Sequence, residues 1–488
     1  MQDGEKERGH AAHRDAVSAA AVASQSRIGY VPALLLAAAM AIFALITIFI
    51  IGLAAPEPVQ AQAASEAIRG KHMGVATCAG STCHGRNEAD GEIVRQDELM
   101  RWQEESTPGG AHSRAFRVLG EARSLAIGKK LGIGDPRSAQ MCLGCHATPA
   151  HATGPRFQLD DGVGCEACHG ASSGWLSSHY AVGADHGDNV GRGLIPLDNP
   201  KARASVCLDC HFGSTNKGQF VDHRIMAAGH PRISFELDLF STLQQHHDVD
   251  GDYVQRKGRP SSVRFWAVGQ AMALERSLNL FARPGIAMEG LFPEFYFYDC
   301  HSCHRRIYDD PDARPAFLDN PGRPIPTGMP PYNDENMIML AAAVRVVAPD
   351  LAKDYDARTR AFHAAMGQGR QAAVTEGRKL QQFARRLADR FARSTFTRAQ
   401  TFAIMETIAS EAISPRFTDY EGAVQSVMAV DTLLSGLVND GAVSARAANA
   451  LRIQINEAYA AVAEPNAFRP TSFRRALGRS VQTIRTLK

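Results

Sequence analysis

The pattern of apolar and polar residues divides the chain into an unbroken apolar run, an irregular middle and a periodic C-terminal part. The run from Ile28 to Pro56 contains no charged residue and is long enough to cross a bilayer as a helix. It predicts a transmembrane signal-anchor at residues 28–56, with a disordered cytoplasmic tail at residues 1–27 before it and a linker at residues 57–71 after it. A cleaved secretory signal is the alternative, because small residues follow the run in "VQAQAAS".

Apolar residues at helical spacing predict long helices in the C-terminal half of the chain. One helix is predicted from Val263 to Arg283, and another has apolar residues from Leu380 to Phe391 on one face with arginines on the other. A Pro-rich boundary, "NPGRPIPTGMPPYNDE", separates the two. The pattern therefore predicts a helical bundle at residues 331–488. The bundle either caps the preceding domain or mediates self-association, and a plain structural role is favoured.

The middle segment at residues 72–310 has few long periodic runs, and it contains all ten cysteines. They form five local pairs, and a histidine directly follows the second cysteine of each pair. The pairs are Cys78/Cys83, Cys142/Cys145, Cys165/Cys168, Cys207/Cys210 and Cys300/Cys303. Four pairs read C-x-x-C-H, the pattern of c-type haem attachment, in which two thiols bind the porphyrin vinyl groups and the imidazole binds the iron. The first pair has four intervening residues, and Gly80 eases the longer loop.

Disulfides, zinc sites and iron–sulfur clusters also use paired cysteines. None of them requires a histidine after every pair, because disulfides need no histidine and zinc sites usually combine two separate pairs. The sequence therefore predicts a mainly α fold in which a pentahaem cytochrome c domain, with short helices and loops, is organised by five haem c groups. The predicted proximal iron ligands are His84, His146, His169, His211 and His304.

The second axial ligand of each iron decides between electron transfer and catalysis. A second histidine saturates the iron and favours electron transfer, whereas an open position admits a substrate. Eleven histidines beyond the apolar run lie outside the proximal positions, and most of them fall in the haem region. His246 and His247 are neighbours, of which at most one is expected to face a given iron. His301, inside its own motif, and His363, on the helical domain, are poor candidates.

Four sequence elements follow one another through the haem region. They are "CAGSTCH" followed by "RWQEESTPGGAHSRAF", then "MCLGCH", then "GVGCEACHGASSGWLSSH", and finally "VCLDCH". This arrangement resembles the cytochrome c-554 type of multihaem cytochrome. The resemblance implies closely spaced haems and distal ligands at His112 and His179, each reaching a haem other than the one nearest in sequence. His223 and His230 resemble ligand segments of related proteins, and His72 is the remaining candidate.

The likeness covers roughly residues 74–235, and the chain departs from the tetrahaem pattern in three features. These are the longer first motif, the fifth motif at Cys300 and the added helical domain. Family members include electron carriers and are similar to enzymes acting on hydroxylamine, nitrite or sulfur oxyanions. The resemblance alone therefore selects no reaction.

The composition and the cofactor chemistry indicate the class of protein and its compartment. The chain is 45% hydrophobic and 21% charged with a formal net charge of +2, which is typical of globular proteins and shows no bias towards nucleic acid. Haem attachment to paired cysteines takes place outside the cytoplasm in bacteria. We therefore expect a single-pass protein of the bacterial inner membrane, with its main domain in the periplasm.

The favoured function is that of a membrane-anchored electron-transfer cytochrome, which passes electrons along five haems between redox partner proteins. Its N-terminal helix would contact the membrane, and a homo-oligomer or a larger redox complex is compatible with the helical domain. The alternative is a multihaem oxidoreductase with one five-coordinate catalytic haem, acting on a small nitrogen or sulfur compound. The sequence alone does not decide whether the protein is an enzyme.

Overall fold

The structure is a computed structural model. It describes residues 70–91, 95–232, 234–287, 292–304, 322–326, 328–412 and 419–488. The predicted tail and signal-anchor, and the linker up to residue 69, lie outside these described residues. Among the helices within the described ranges, none is long and apolar enough to cross a membrane. The described residues all belong to one compact unit.

The predicted mainly α fold is confirmed, and the described parts of the chain form isolated bridges but no β-strand. The shorter helices come first along the chain. They are α1 (Val75–Cys78), α2 (Glu98–Gln103), α3 (Ala122–Leu131), α4 (Gln140–His146), α5 (Cys165–His169), α6 (Leu176–His179), α7 (His186–Gly191), α8 (Pro200–His211), α9 (His223–Ala228), α10 (Leu237–Leu243) and α11 (Gly251–Lys257). Single 3₁₀ turns, including Cys300–Ser302, connect several of these elements and the longer ones.

Longer helices dominate the remainder of the chain. They are α12 (Ser262–Phe281), the short α13 (Pro284–Ala287), α14 (Glu335–Val347), α15 (Pro349–Met366), α16 (Arg370–Arg393), α17 (Arg398–Ala412), α18 (Tyr420–Asn439), α19 (Ala445–Ala461) and α20 (Pro470–Leu487). The predicted helix between Val263 and Arg283 is confirmed as α12, which Ser261 caps by accepting a hydrogen bond from the backbone N–H of Arg264.

Three of the motif histidines are the last residues of helices. α4 ends at His146, α5 at His169 and α8 at His211. Residues at positions i, i+3 and i+4 share one face of a helix, so each of these helices turns both cysteines and the histidine of its motif to the same side. The local geometry that covalent attachment needs is thus a property of a single helical turn.

The short helix α9 is bounded by two clear signals. The side chain of Asp222 accepts a hydrogen bond from the backbone N–H of Ile225 at 2.7 Å, which caps the N-terminus. Gly229 ends the helix with a φ of 122°, a conformation that residues with a side chain rarely adopt. His223 therefore lies at the start of α9, and His230 lies just beyond its end.

A hydrophobic core joins α12 to the helices that follow it. Trp266, Leu278 and Phe281 of α12 are fully buried, and they belong to the same cluster as side chains from α14 to α20. α12 is buried around most of its circumference, and its buried residues include the polar Gln270 and Glu275. The apolar stripe of α16, predicted from its spacing, is fully buried at Leu380, Phe383, Leu387 and Phe391.

The core continues across the position where the sequence suggests a domain boundary. α12 precedes the Pro-rich segment, but it packs most extensively against α16 and also contacts α14 and α18. A second, smaller cluster joins Ala204 and Leu208 of α8 to Phe265 and Ala273 of α12. α12 thus connects an attachment helix to the C-terminal bundle, because its opposite faces are both apolar.

Candidate functional site

Each motif histidine faces a second histidine from elsewhere in the chain. The ring centroids are separated by 6.4 Å for His84 and His179, 6.3 Å for His146 and His230, 6.3 Å for His169 and His246, 5.9 Å for His211 and His112, and 6.2 Å for His304 and His223. The five separations lie within half an ångström of one another. They indicate a common geometric requirement at all five positions.

That separation is the one expected for two imidazoles that bind opposite sides of one metal ion. Histidine nitrogen lies about 2 Å from a bound metal, and the ring centroid lies about 1 Å behind the nitrogen, which gives a centroid separation of about 6 Å. Aromatic rings in ordinary contact span about 4.5–7 Å, so one pair would carry little weight. All five motif histidines are paired in this way, and ordinary packing gives no reason for that regularity.

We number the five sites in chain order, each as its two cysteines, its motif histidine and the facing histidine. The first site is Cys78, Cys83, His84 and His179; the second is Cys142, Cys145, His146 and His230; the third is Cys165, Cys168 and His169 with His246 or His247; the fourth is Cys207, Cys210, His211 and His112; the fifth is Cys300, Cys303, His304 and His223. His112 and His179 thus face motifs that are not their nearest in sequence. All ten cysteines are free of disulfides.

His72, the remaining sequence candidate for a distal ligand, lies elsewhere. Its ring packs edge-on against Phe157, with centroids 6.4 Å apart, and its backbone N–H donates to the carbonyl oxygen of Ala152 at 2.9 Å. Among the described residues it faces none of the motif histidines, each of which has a different imidazole opposite. The structure therefore does not bring His72 to a site.

The third site instead has two adjacent imidazoles opposite His169. The ring centroid of His246 lies 6.3 Å from that of His169, and the centroid of His247 lies 6.1 Å from it. The three rings bring their nitrogens within 4.8 Å of one another. His246 is the more buried of the neighbours, and His247 is exposed. In the sequence, this arrangement was indicated by the adjacent residues His246 and His247.

Hydrogen bonds orient several of these imidazoles. Nδ1 lies 2.7 Å from the carbonyl oxygen of Ala115 for His146, 2.7 Å from that of Pro231 for His230, and 2.9 Å from that of Gln244 for His246. A carbonyl oxygen can only accept, so Nδ1 carries the proton and donates. The lone pair is then on Nε2, as in most metal-bound histidines with a carbonyl partner.

Burial keeps five of these imidazoles in the neutral form that binds metal. It lowers the pKa of His169 to about 3, and it lowers the pKa values of His211 and His246 to about 4. The pKa values of His112 and His146 are lowered for the same reason. A protonated imidazole has no lone pair to offer, so these sites are prepared for a metal at neutral pH.

Glu98 orients the motif histidine of the first site, and no sequence motif pointed to it. Its Oε2 lies 3.0 Å from Nδ1 of His84, and its Oε1 lies 3.5 Å from Nδ1 of His247. Burial acts to raise the pKa of Glu98, but the hydrogen bonds from His247 and His84 hold it well below its usual range. Glu98 is therefore ionised, and it links the imidazoles of the first and third sites.

Contacts between cysteines place the sites next to one another. The thiols of Cys78 and Cys165 are hydrogen-bonding neighbours, which joins the first site to the third. Cys168 and Cys207 lie close to each other, which joins the third site to the fourth.

Two further connections place the second and fifth sites next to these three, so that the five sites form a row. The Cys210 thiol donates to the carbonyl oxygen of Gly144, inside the second motif, at 3.8 Å, which joins the fourth site to the second. α9 connects the second and fifth sites, because its start carries His223 and the residue after its terminal glycine is His230. Seven residues at helical rise correspond to roughly 10 Å. The row therefore runs first, third, fourth, second, fifth.

A large cavity connects three of the sites. Its volume is about 1520 Å³, and it is lined by cysteines and histidines of the first, third and fourth sites together with apolar side chains. Pockets for one small molecule usually measure about 300–1,000 Å³. The space and its lining fit more than one large, flat, apolar cofactor with a metal at its centre.

Comparison with known proteins identifies part of this region. Residues 77–170 match the family described as cytochrome c554 and c-prime, and they contain the first three motifs. The predicted resemblance is confirmed over this segment, and the match implies haem c as its cofactor. No curated protein and no solved structure matches the chain.

Proposed function

From the premise that residues 77–170 are a c-type cytochrome segment, we propose that the whole chain is an electron-transfer cytochrome with five haem c groups. The observation that carries the proposal is the second imidazole opposite every motif histidine, at 5.9 to 6.4 Å between centroids. Haem iron supplies reversible one-electron chemistry when bound between two histidines. The protein residues attach the cofactors, orient their ligands and exclude water.

The same observation disfavours the oxidoreductase alternative. A catalytic iron needs an open position, and the corresponding motif histidine would then face a cavity or a weak ligand. Within the described residues, each motif histidine faces an imidazole instead. Electron transfer is therefore the better supported function for all five sites.

We propose His246 as the facing ligand of the third site. Its Nδ1 donates to a backbone carbonyl oxygen, and its ring is largely buried, so Nε2 is free and desolvated. His247 is exposed and lies beside Glu98, where it supports the carboxylate that orients His84. This assignment gives each of the five sites two histidines.

We propose that electrons enter and leave at the two ends of the row. Cys83 of the first site and Cys303 of the fifth site are exposed, whereas the other eight cysteines are partly buried. A partner protein can approach an exposed attachment site closely, and the inner sites are covered. The first and fifth sites are accordingly the candidate contacts for redox partner proteins.

We further propose that the charge-free run at residues 28–56 anchors the protein in the bacterial inner membrane, with the haem sites in the periplasm. The support is the length of the run and the extracytoplasmic site of haem attachment. A variant that lacks residues 28–56 and carries a cleavable secretion signal in their place is expected to be released, with its haems, into the soluble periplasmic fraction. Membrane retention of that deletion would contradict the anchor.

Haem content tests the main proposal. The alkaline pyridine spectrum and intact mass of the purified chain are expected to show five covalently bound haems. Replacing both cysteines of the fifth motif, Cys300→Ser with Cys303→Ser, should leave four. Five haems in the double variant, or fewer than five in the unmodified protein, would contradict the assignment.

A further inference from the structure

A group of buried carboxylates lies between the fifth site and the C-terminal helices. Glu335 begins α14 and is 5% exposed, and Glu421 in the first turn of α18 is 1% exposed. The Nε of Arg232 lies 3.5 Å from Oε1 of Glu421. Nη1 of the same guanidinium lies 3.6 Å from Sγ of Cys300. Arg232 thus bridges the carboxylates and a cofactor-attaching sulfur.

Arg232 does not have enough charge to neutralise this group. Glu335 and Glu421 both interact with the Arg232 guanidinium, so one positive charge faces two carboxylates. Asp299 is buried close to Glu421, where it accepts backbone hydrogen bonds, including that of Tyr420 at 3.0 Å, and adds a further carboxylate. Burying ionised carboxylates without full compensation is costly, so the group gains stability when one of them is protonated.

The neighbouring guanidinium is already committed to other carboxylates. Arg323 lies 2.5 Å from an oxygen of Asp334 and 2.7 Å from an oxygen of Asp419. His363 adds a contact of 3.1 Å to Asp334. Arg323 is therefore paired with Asp334 and Asp419, and it does not balance the charge of Glu335 and Glu421.

Glu335 is the member of the group that is best placed to exchange a proton near neutral pH. Burial, followed by the charge of Glu421, raises the pKa of Glu335 to about 8. Burial and the charge of Asp419 raise the pKa of Asp299 to about 7. The groups that face Glu335 are Arg232, Tyr296, Asn333, Glu421 and Gln425. Only one of these is a cation.

We propose that Glu335 takes up a proton when the fifth site accepts an electron, so that electron transfer at this end of the row is coupled to proton transfer. The inference rests on the proposed function. For each electron that arrives from the neighbouring site, one proton from solvent binds a carboxylate oxygen of Glu335. The O–H bond of the neutral acid is the only bond formed, and the net charge of the region is unchanged.

Electrostatics supplies the coupling. An added electron at the fifth site places negative charge near the buried carboxylates, and this charge disfavours their ionised forms. The proton affinity of Glu335 rises, and by linkage a proton on Glu335 makes reduction of the fifth site easier. The low-dielectric surroundings make this effect larger than it would be in water.

Redox titration of the full haem-loaded protein between pH 5 and pH 10 tests the proposal. One of the five midpoint potentials is expected to fall by about 59 mV per pH unit, the equivalent of a tenfold change in proton concentration for one electron. In Glu335→Gln this slope should disappear. The potential of that site should match the unmodified protein at low pH, where Glu335 is neutral, and should be more positive at high pH.

Two further variants sharpen the test. Glu421→Gln removes a neighbouring negative charge and should move the sloping region to lower pH. Glu275→Gln is the matched control, because Glu275 is buried on α12 but is bound by Arg385 at 2.6 Å and by Gln381 at 2.7 Å. It should leave all five pH profiles unchanged.

The proposal is overturned if the slope survives in Glu335→Gln. It is also overturned if full reduction of the unmodified protein at pH 8 takes up no proton, as measured with a pH indicator, and this second measurement needs no variant. Failure of the proposed function would look different. It would appear as a missing haem at the fifth motif, before any titration is made.

Discussion

The region before α12 and the helices from α12 onward represent two ways of filling an interior. In the C-terminal helices, side chains such as Phe383 and Leu433 are fully buried in a large apolar cluster. In the preceding region the helices are short, the apolar clusters are small, and a cavity of about 1520 Å³ is lined by attachment residues. The cofactors are therefore the expected core of the first region, whereas side chains form the core of the second.

The largest expected effect is a difference in stability between the two regions when haem is absent. A chain with all ten cysteines replaced by serine cannot attach haem, so the first region loses its core while the helical core is intact. Amide hydrogen exchange should be fast in α4 to α10 and should stay slow in α12 and in α14 to α20. Equal protection of both regions in the haem-free chain would contradict the comparison.

A mutation in the second region should have the converse effect. Phe383→Ala removes a fully buried ring of α16 and is expected to cost about 3–5 kcal/mol in the free energy of unfolding. Denaturant titration followed by circular dichroism measures this loss, and the haem absorption spectrum of the folded protein should not change. The exposed Lys379→Ala on the same helix should stay within about 0.5 kcal/mol of the unmodified protein. A loss of haem ligation in Phe383→Ala would link the two regions more tightly than the structure indicates.

Within the first region, removal of one facing histidine should change one site alone. His179→Ala is expected to convert one haem in five to a high-spin form that binds cyanide, because among the described residues His179 is the imidazole opposite His84. His186→Ala, nearby and exposed, is the control and should leave all haems low-spin. An unchanged spectrum in His179→Ala would exclude this histidine as a ligand.

The smallest effect concerns the carboxylate that orients His84. Glu98→Gln removes a negative charge that increases the basicity of this ligand and stabilises the oxidised iron. The potential of the first haem should rise by on the order of tens of millivolts. Potentiometric titration measures this shift, and Glu104→Gln, on an exposed side chain, should leave the potential in place. A shift of the same size in both variants would show that Glu98 acts only through net charge.

The comparison also explains what the sequence could predict. In the motifs at His146, His169 and His211, the two cysteines and the histidine lie within about one helical turn, so these motifs are visible in the sequence. The amphipathic stripe of α16 is local for the same reason. In both cases the residues that determine the feature are close to one another in sequence.

The facing histidines come from segments that are distant in sequence, so the sequence alone does not show which of them faces which motif. His112 meets His211 across ninety-nine residues, and a pairing over that distance leaves no spacing signal. His72 lies near a motif in sequence but not at a site, whereas His246 lies far from His169 in sequence and faces it. Glu98 follows no motif. Periodicity placed α12 correctly but carried no information on its partners, since burial depends on which helices pack against it.

Low-temperature EPR of the oxidised, haem-loaded protein, recorded with and without excess cyanide, tests the central claim most directly. Two histidines at every iron predict low-spin signals that account for all five haems and are unchanged by cyanide. A high-spin signal that disappears as cyanide binds would show an open iron. It would contradict the assignment of two histidines to every site and would favour the oxidoreductase alternative.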